Sequence, residues 1–191
     1  VALTHVEGAN DRLTINGQGG DDDIDASGLA AGLVQLVVNA GLGDDVVIGS
    51  QGDDLVTGGD GDDVALLGAG DDVFVWNPGD DTDLHEGGAG NDTSEVNGGN
   101  GDEQFTVTAN GTRVRFDRVN PAPFSIDIGT TENLVLNMNG GNDTFSATGD
   151  LAALIKITVD GGAGNDTILG SNGADTLMGG DGDDFIDGQQ G

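Results

Sequence analysis

Aspartate residues recur in glycine-rich turns along this 191-residue chain. The fullest copies are Gly58-Gly59-Asp60-Gly61-Asp62-Asp63 and Gly179-Gly180-Asp181-Gly182-Asp183-Asp184. They fit a nonapeptide G-G-x-G-x-D-x-U-x, in which U is a large apolar residue. Carboxylates and exposed backbone carbonyls are oxygen ligands, which a hard cation such as Ca²⁺ accepts in sets of about six to eight. The turns therefore predict cation binding.

Twelve copies of the turn carry an acidic residue at position six. Position four is glycine in all twelve, because only a residue without Cβ reaches positive φ at no cost. Position five varies and is alanine at Ala174. A charge is therefore dispensable at position five but not at position six. The sixth residues are Asp22, Asp45, Asp54, Asp63, Asp72, Asp81, Asp92, Glu103, Asp143, Asp166, Asp175 and Asp184.

The spacing of nine residues between many turns predicts the elements that position them. Nine residues supply a six-residue turn and a three-residue strand whose middle side chain points inward, because side chains alternate along a strand. Two such units close a coil of 18 residues, so that alternate turns stack on the same edge. We predict an all-β fold, a right-handed parallel β-roll. The longer spacings, from Asp22 to Asp45 and from Asp81 to Glu103, are interpreted as longer coils.

A larger repeat lies over the small one. Residues 11–65 align without a gap on residues 132–186, with 23 identities in 55 positions. Within this repeat, Lys156 and Thr158 must face water, which assigns the opposite face of the same strand to the core. The inward residues are predicted to be Val34, Leu36 and Val38 in the first copy and Ile155, Ile157 and Val159 in the second.

The stretch between the two copies has a different composition. It holds Arg113, Arg115 and Arg118, three of the five basic residues, and alternates around Asn110-Gly111. Asn-Gly between alternating side chains is a strong signal of a β-hairpin, which we expect to project from the roll or flank it. The chain is predicted to divide into a first β-roll unit at 11–104, an inserted hairpin-like segment at 105–131 and a truncated second copy of the β-roll unit at 132–191.

Charge and composition exclude several classes of function. Thirty-five acidic against five basic residues give a net charge of −30, which opposes binding to nucleic acid. There is no cysteine, and His5 and His85 lie far apart, so no thiolate or zinc site is predicted; His85 is expected to face solvent. The longest apolar stretch, Leu29–Val38, is too short to span a membrane. Because every coil carries a carboxylate, no catalytic pair is singled out and no enzyme is predicted.

The successive turns closely resemble the hemolysin-type calcium-binding nonapeptide repeats of the RTX (repeats-in-toxin) family. The resemblance covers roughly residues 16–105 and 137–191. It implies a β-roll around about five to eight Ca²⁺ ions, held by position-six aspartates and by carbonyls of the glycine-rich loop. It also implies a fragment of a larger secreted bacterial protein, adhesin-like or toxin-like, exported by a type I system to the extracellular space or cell surface. The implied ligands are the eleven position-six aspartates with Gly43, Gly52, Gly61, Gly70, Gly90, Gly164 and Gly182.

Stacked turns bring carboxylates of like charge together, which repel unless a cation lies between them. The metal-free chain is therefore predicted to be unfolded.

The alternative hypothesis is a polysaccharide-binding accessory module of an extracellular enzyme, in which the hairpin arginines contact an acidic polysaccharide. The resemblance to the RTX family implies that calcium is shared by the carboxylate pairs Asp22/Asp45, Asp45/Asp63, Asp54/Asp72, Asp63/Asp81, Asp72/Asp92, Asp143/Asp166 and Asp166/Asp184.

Overall fold

A computed structural model describes residues 7, 8 and 11–191, so that His5 lies outside the described residues. Every regular element in those residues is a β-strand. Among them, no helix has the length and apolarity needed to cross a membrane. The strands are β1 (Arg12–Asn16), β2 (Asp23–Asp25), β3 (Gln35–Leu42), β4 (Val46–Ile48), β5 (Asp54–Asp60), β6 (Val64–Ala69), β7 (Val73–Trp76), β8 (Asp83–Ala89), β9 (Thr93–Asn97), β10 (Gln104–Asn110), β11 (Arg113–Asn120), β12 (Phe124–Gly129), β13 (Asn133–Asn137), β14 (Thr144–Thr148), β15 (Lys156–Asp160), β16 (Thr167–Leu169), β17 (Thr176–Met178) and β18 (Phe185–Asp187).

The strands alternate between two sheets as the chain coils. The first sheet has the order β1-β3-β5-β7-β9-β13-β15-β17, and the second has β18-β16-β14-β10-β11-β12-β8-β6-β4-β2. Pairing is parallel except between β10 and β11 and between β11 and β12. Residues paired in β4 and β6, such as Val46 and Val64, are 18 apart in sequence. The predicted all-β parallel β-roll is confirmed.

The core consists of the inward side chains of both sheets. The three inward residues predicted in each copy of the 121-residue repeat are all buried, Leu36 and Ile157 completely. Eight buried apolar residues form one cluster, including Leu36 and Phe74, and nineteen form a larger one around Trp76, Phe105 and Phe116. Most of the aromatic side chains of the core therefore lie beside the insertion, whereas β4 and β6 contribute smaller ones such as Val47 and Ala65.

The insertion lies within the second sheet. Strands β10 and β11 form the predicted hairpin, with Asn110 opposite Arg113. β12 then pairs with β8, and β10 pairs with β14, so the three strands fill the sheet between β8 and β14. The expectation that this segment projects from the roll or flanks it was wrong, because the paired strand edges of β8 and β14 satisfy its outer hydrogen bonds.

The register of β8 differs from the nine-residue count. Val64 pairs with Leu84, which places Asp83 rather than Asp81 next to Asp63. His85 then points inward, is fully buried, stacks on Phe74 with ring centroids 4.7 Å apart, and lies 3.0 Å from the hydroxyl of Ser94. The expectation that His85 faces solvent was wrong, because the coil from β6 to β8 is 20 residues long where the repeat has 18.

Close stacking of the turns predicts a large effect for one glycine substitution. Gly61 has a φ of 136°, and an added Cβ would lie 2.1 Å from the carbonyl oxygen of Gly43 on the neighbouring coil. Gly79 has a φ of 118° with open space around it, and Gly28 has open space and no unusual φ. Gly79→Ala is expected to lower the free energy of unfolding by about 1–2 kcal/mol through φ alone. Gly61→Ala is expected to lower it by more, because backbone atoms must also separate.

The measurement is chemical denaturation of the three variants in excess calcium. Gly28→Ala is the control and is expected to stay within about 0.5 kcal/mol of the parent chain. Equal stabilities for Gly61→Ala and Gly79→Ala would contradict the stacking of glycine on glycine.

Candidate metal centres

Ten of the twelve position-six carboxylates, together with Asp83 and Glu132, form two ladders along the edges of the roll. In each step the backbone N–H of one residue donates to a carboxylate oxygen on the next coil, as from Asp45 to Asp63 Oδ1 at 2.8 Å. The distances range from 2.7 to 3.0 Å in all nine steps. The ladder before the second sheet holds Asp22, Asp45, Asp63 and Asp83 and then Glu103, Asp143, Asp166 and Asp184, and the ladder before the first sheet holds Asp54, Asp72, Asp92 and Glu132.

Most of these carboxylates keep one oxygen without a partner. In the described residues, Oδ2 is buried and accepts no hydrogen bond in eight ladder aspartates. Leaving a buried, charged acceptor unpaired is costly, whereas a hard cation would satisfy it. No three acidic or histidine side chains converge on one point there, so a cation would also need backbone carbonyls. The eight residues are Asp22, Asp45, Asp63, Asp72, Asp83, Asp92, Asp143 and Asp166.

The electrostatics of the ladders disfavour charge in the absence of a cation. Burial raises the pKa of Asp63 and of Asp143 to about 6, that of Asp72 to about 7 and that of Asp83 to about 8. Neighbouring carboxylates raise these pKa values further, and the backbone hydrogen bond acts in the opposite direction. A divalent cation between the turns would restore the ionised form.

Glycine at position one of the turn makes room for the carboxylate. A Cβ at Gly58 would lie 2.2 Å from Asp63 Oδ2, and one at Gly161 would lie 2.5 Å from Asp166 Oδ2. A side chain at either glycine would require the carboxylate to shift, whereas the turns of Asp45, Asp72 and Asp143 accommodate Ala40, Leu67 and Met138 at position one. Sequence reasoning selected the position-four glycines alone, although glycine at position one is visible in most copies.

The hydrogen bonds at position five explain its variability. Here a side-chain oxygen accepts the backbone N–H of the same position on the next coil, as Asp71 Oδ1 does from Asn91 at 2.9 Å. Asn142 accepts from Asn165 in the same way at 3.0 Å. An amide oxygen serves this purpose as well as a carboxylate does. Position five therefore uses an acceptor where turns stack and needs no charge, and Ala174 shows that one turn lacks the acceptor.

Two turns satisfy their carboxylate from within. Ser50 donates its backbone N–H and its hydroxyl to the two oxygens of Asp54, at 2.5 and 2.6 Å. Ser171 does the same for Asp175, at 2.5 and 2.9 Å. Asp54, Asp175 and Gly52, all predicted as ligands, therefore lie in turns whose position-six carboxylate has both oxygens hydrogen-bonded. Serine at position two of both turns was the signal that could have revealed this.

The ladders also contain two residues that the turn pattern missed. Asp63 N–H donates to Asp83 Oδ1 at 3.0 Å, so the predicted pair Asp63/Asp81 is corrected to Asp63/Asp83. Asp81 is exposed and outside the ladder. Glu132 Oε2 accepts from Asp92 N–H at 2.8 Å without a G-G-x-G turn before it. Its alignment with Asp11 in the other copy of the 121-residue repeat was the available signal.

Comparison with protein families agrees with this geometry. The model of the RTX calcium-binding nonapeptide repeat matches the chain in four copies, at residues 39–74 and 159–191. No curated protein matches the chain significantly. The two matched ranges contain stacked turns on both sides of the insertion.

Proposed function

We propose that this chain, which carries RTX calcium-binding nonapeptide repeats, is a structural module whose coils fold by binding Ca²⁺ between stacked turns. The observation that carries the proposal is the row of buried carboxylate oxygens without partners. Their regular spacing along both edges matches a series of similar sites better than one specialised centre.

The ligands we propose are the ladder aspartates with a free oxygen. All of them except Asp22 use Oδ1 to align the neighbouring coil, and all leave Oδ2 for the cation. In the pair Asp54/Asp72 only Asp72 has a carboxylate oxygen without a partner, because Ser50 donates hydrogen bonds to both oxygens of Asp54. The position-four glycines let the turns approach closely enough for carbonyl oxygens to contribute. When bound, Ca²⁺ supplies positive charge that offsets the repulsion between stacked carboxylates.

Replacing one ladder carboxylate by its amide tests the proposed sites. Asp72→Asn keeps an acceptor for Asp54 N–H but removes the charge that would hold calcium. The variant is expected to bind at least one ion fewer and to need about tenfold more calcium for half-maximal folding, since charge count sets affinity at such sites. Asp71→Asn is the matched control, because Asp71 aligns Asn91 through a single oxygen.

The readouts are ion stoichiometry by native mass spectrometry and calcium titration by isothermal calorimetry. Equal stoichiometry and equal midpoints for Asp72→Asn and Asp71→Asn would remove the proposed distinction between positions six and five. No calcium bound by the parent chain at millimolar concentration would remove the function itself.

We also propose that the module is non-enzymatic and belongs to a secreted or surface protein, adhesin-like or toxin-like, that leaves the cell by a type I system. The support is the repeat family together with a chemical argument. Calcium is scarce inside cells and abundant outside, so a chain whose buried carboxylates need calcium as a partner would fold mainly after export. A direct test is its appearance in culture medium with and without the type I exporter.

The polysaccharide hypothesis gains no support from the arginines. Arg113 pairs with Glu86 and Asp127, Arg115 pairs with Asp117, and Arg118 pairs with Glu103. Each positive charge is thus neutralised within the chain. Retention on alginate or pectate that is lost on replacing Arg113 and Arg115 by alanine would revive that hypothesis.

A further inference from the structure

The insertion breaks one of the carboxylate ladders. Strands β12 and β11 lie between β8 and β10 in the second sheet. The turn of Asp83 and the turn of Glu103 are therefore three strand spacings apart, about 14 Å, instead of one. Among the described residues, the ladder partner of Glu103 is Asp143 on the other side, and the distance to Asp83 is too long for one cation to bridge.

Glu103 nevertheless has both oxygens satisfied. Gly99 N–H donates to Oε2 at 2.6 Å, and Arg118 Nη1 donates to Oε1 at 3.0 Å. This repeats the arrangement at Asp54, where Ser50 supplies both hydrogen bonds. The guanidinium replaces the serine hydroxyl, and it also brings a positive charge.

Arg118 is held firmly in that position. Arg118 is 8% exposed and Glu103 is 5% exposed, so that water screens the charges of the pair weakly. The guanidinium lies 5.1 Å from the ring centre of Trp76 and 4.9 Å from that of Phe124, and its Nε donates to the carbonyl of Ala122 at 3.1 Å. The charge is thus fixed by aromatic faces on one side and oxygen acceptors on the other.

A second arginine links the insertion to the roll at the other end of β11. Arg113 Nε donates to Asp127 on β12 at 2.7 Å, and its Nη1 pairs with Glu86 on β8. Glu86 also accepts from the hydroxyl of Thr130 at 3.0 Å. Each end of β11 therefore carries an arginine against a carboxylate that belongs to the coils.

The aromatic core beside these pairs needs no cation. Trp76 stacks on Phe124 with centroids 3.8 Å apart, and Phe116 contacts both Phe105 and Phe124. All four are almost or fully buried. Burial of apolar area stabilises the fold whether or not calcium is present. The repeats on either side depend instead on short strands and paired carboxylates.

We propose that Arg118 is a built-in cation that stands in for a metal ion at Glu103, and that strands β10–β12 with the aromatic core around Trp76 thereby form a calcium-independent block on which the flanking coils fold when calcium binds. Only the part of this inference that concerns the flanking coils rests on the proposed function. The sequence predicts that the whole metal-free chain is unfolded; under this proposal, only the flanking coils are.

The test is hydrogen exchange with mass spectrometry on the full chain, in calcium and in EGTA. In EGTA, peptides from β10, β11 and β12 are expected to keep their protection, while peptides from residues 11–69 and 167–187 lose it. Uniform loss throughout the chain, with full recovery in calcium, would overturn the block and leave the proposed function intact. Protection everywhere in EGTA, with no calcium bound, would instead defeat the proposed function.

Three variants locate the effect at the ion pair. In EGTA, Arg118→Gln is expected to lower protection in β10–β12 at least about tenfold, because it leaves a buried carboxylate unpaired. Arg115→Gln, whose side chain is 54% exposed, is the control and should not change protection. The double variant Glu103→Gln with Arg118→Gln removes both charges and should recover most of the lost protection in β10–β12. Unchanged protection in Arg118→Gln would overturn the role of Arg118.

Discussion

Withdrawal of calcium at neutral pH is expected to remove most of the β-sheet circular dichroism of this chain. Eight buried carboxylate oxygens would lose their partner together, and their neighbours are carboxylates of the same charge. The signal that remains should be that of the central block. Returning millimolar calcium should restore the sheet over a narrow concentration range, because each inner aspartate is shared between neighbouring sites.

The experiment is a calcium titration after exhaustive dialysis against chelator. Magnesium at the same concentration is the control, and it should restore little, since it keeps its water ligands and requires a stricter octahedral geometry. Identical spectra with and without calcium would refute metal-dependent folding.

Acidification is expected to replace part of the effect of calcium. The folded-state pKa values of Asp63, Asp72, Asp83 and Asp143 are raised to between about 6 and about 8. A carboxyl with a raised folded-state pKa stabilises the fold below its unfolded pKa, near 3.9. That contribution is lost as the pH rises through the folded-state value. The metal-free chain should therefore hold more sheet at pH 5 than at pH 8.

Protons and calcium should also compete for the same oxygens. Each proton displaced on binding changes the apparent affinity by up to about tenfold per pH unit, so the calcium midpoint should rise at least about tenfold between pH 8 and pH 6. Circular dichroism of dialysed protein across this range gives both quantities. Asp72→Asn removes one titrating group and should shift less with pH. A midpoint that does not depend on pH would show that the ladder carboxylates are not ligands.

The nine-residue spacing of the turns predicted the roll, because the stacking of each turn depends on residues close to it in sequence. Once Gly61 and Asp63 occupy a turn, the strand after it has one inward position, and Val56 and Ala65 fill such positions on the two sheets. The same period predicted which aspartates share an edge. Those parts of the fold follow from spacing alone.

The register around β8 could not be predicted by counting. The segment Trp76-Asn77-Pro78 lengthens the turn, and the count of nine then falls on Asp81. Burial decides the register instead, because His85 stacks on Phe74 and thereby brings Asp83 into the ladder.

The place of the hairpin depends on partners distant in sequence. An antiparallel hairpin has two unpaired edges, and the sequence of residues 105–131 does not indicate which strands will pair with them. β8 and β14 do so, across separations of about 40 residues. The ion pair of Arg118 with Glu103 follows from that placement and was hidden for the same reason.

The insertion gives the second sheet ten strands where the first has eight. Two additional strands lengthen one face by about 10 Å, while β9 and β13 remain adjacent on the other. The axis of the solenoid is therefore expected to turn toward the shorter face at this point. In an array of such 121-residue repeats, every hairpin would be a corner, and a fibre assembled from them would follow a polygonal or helical path.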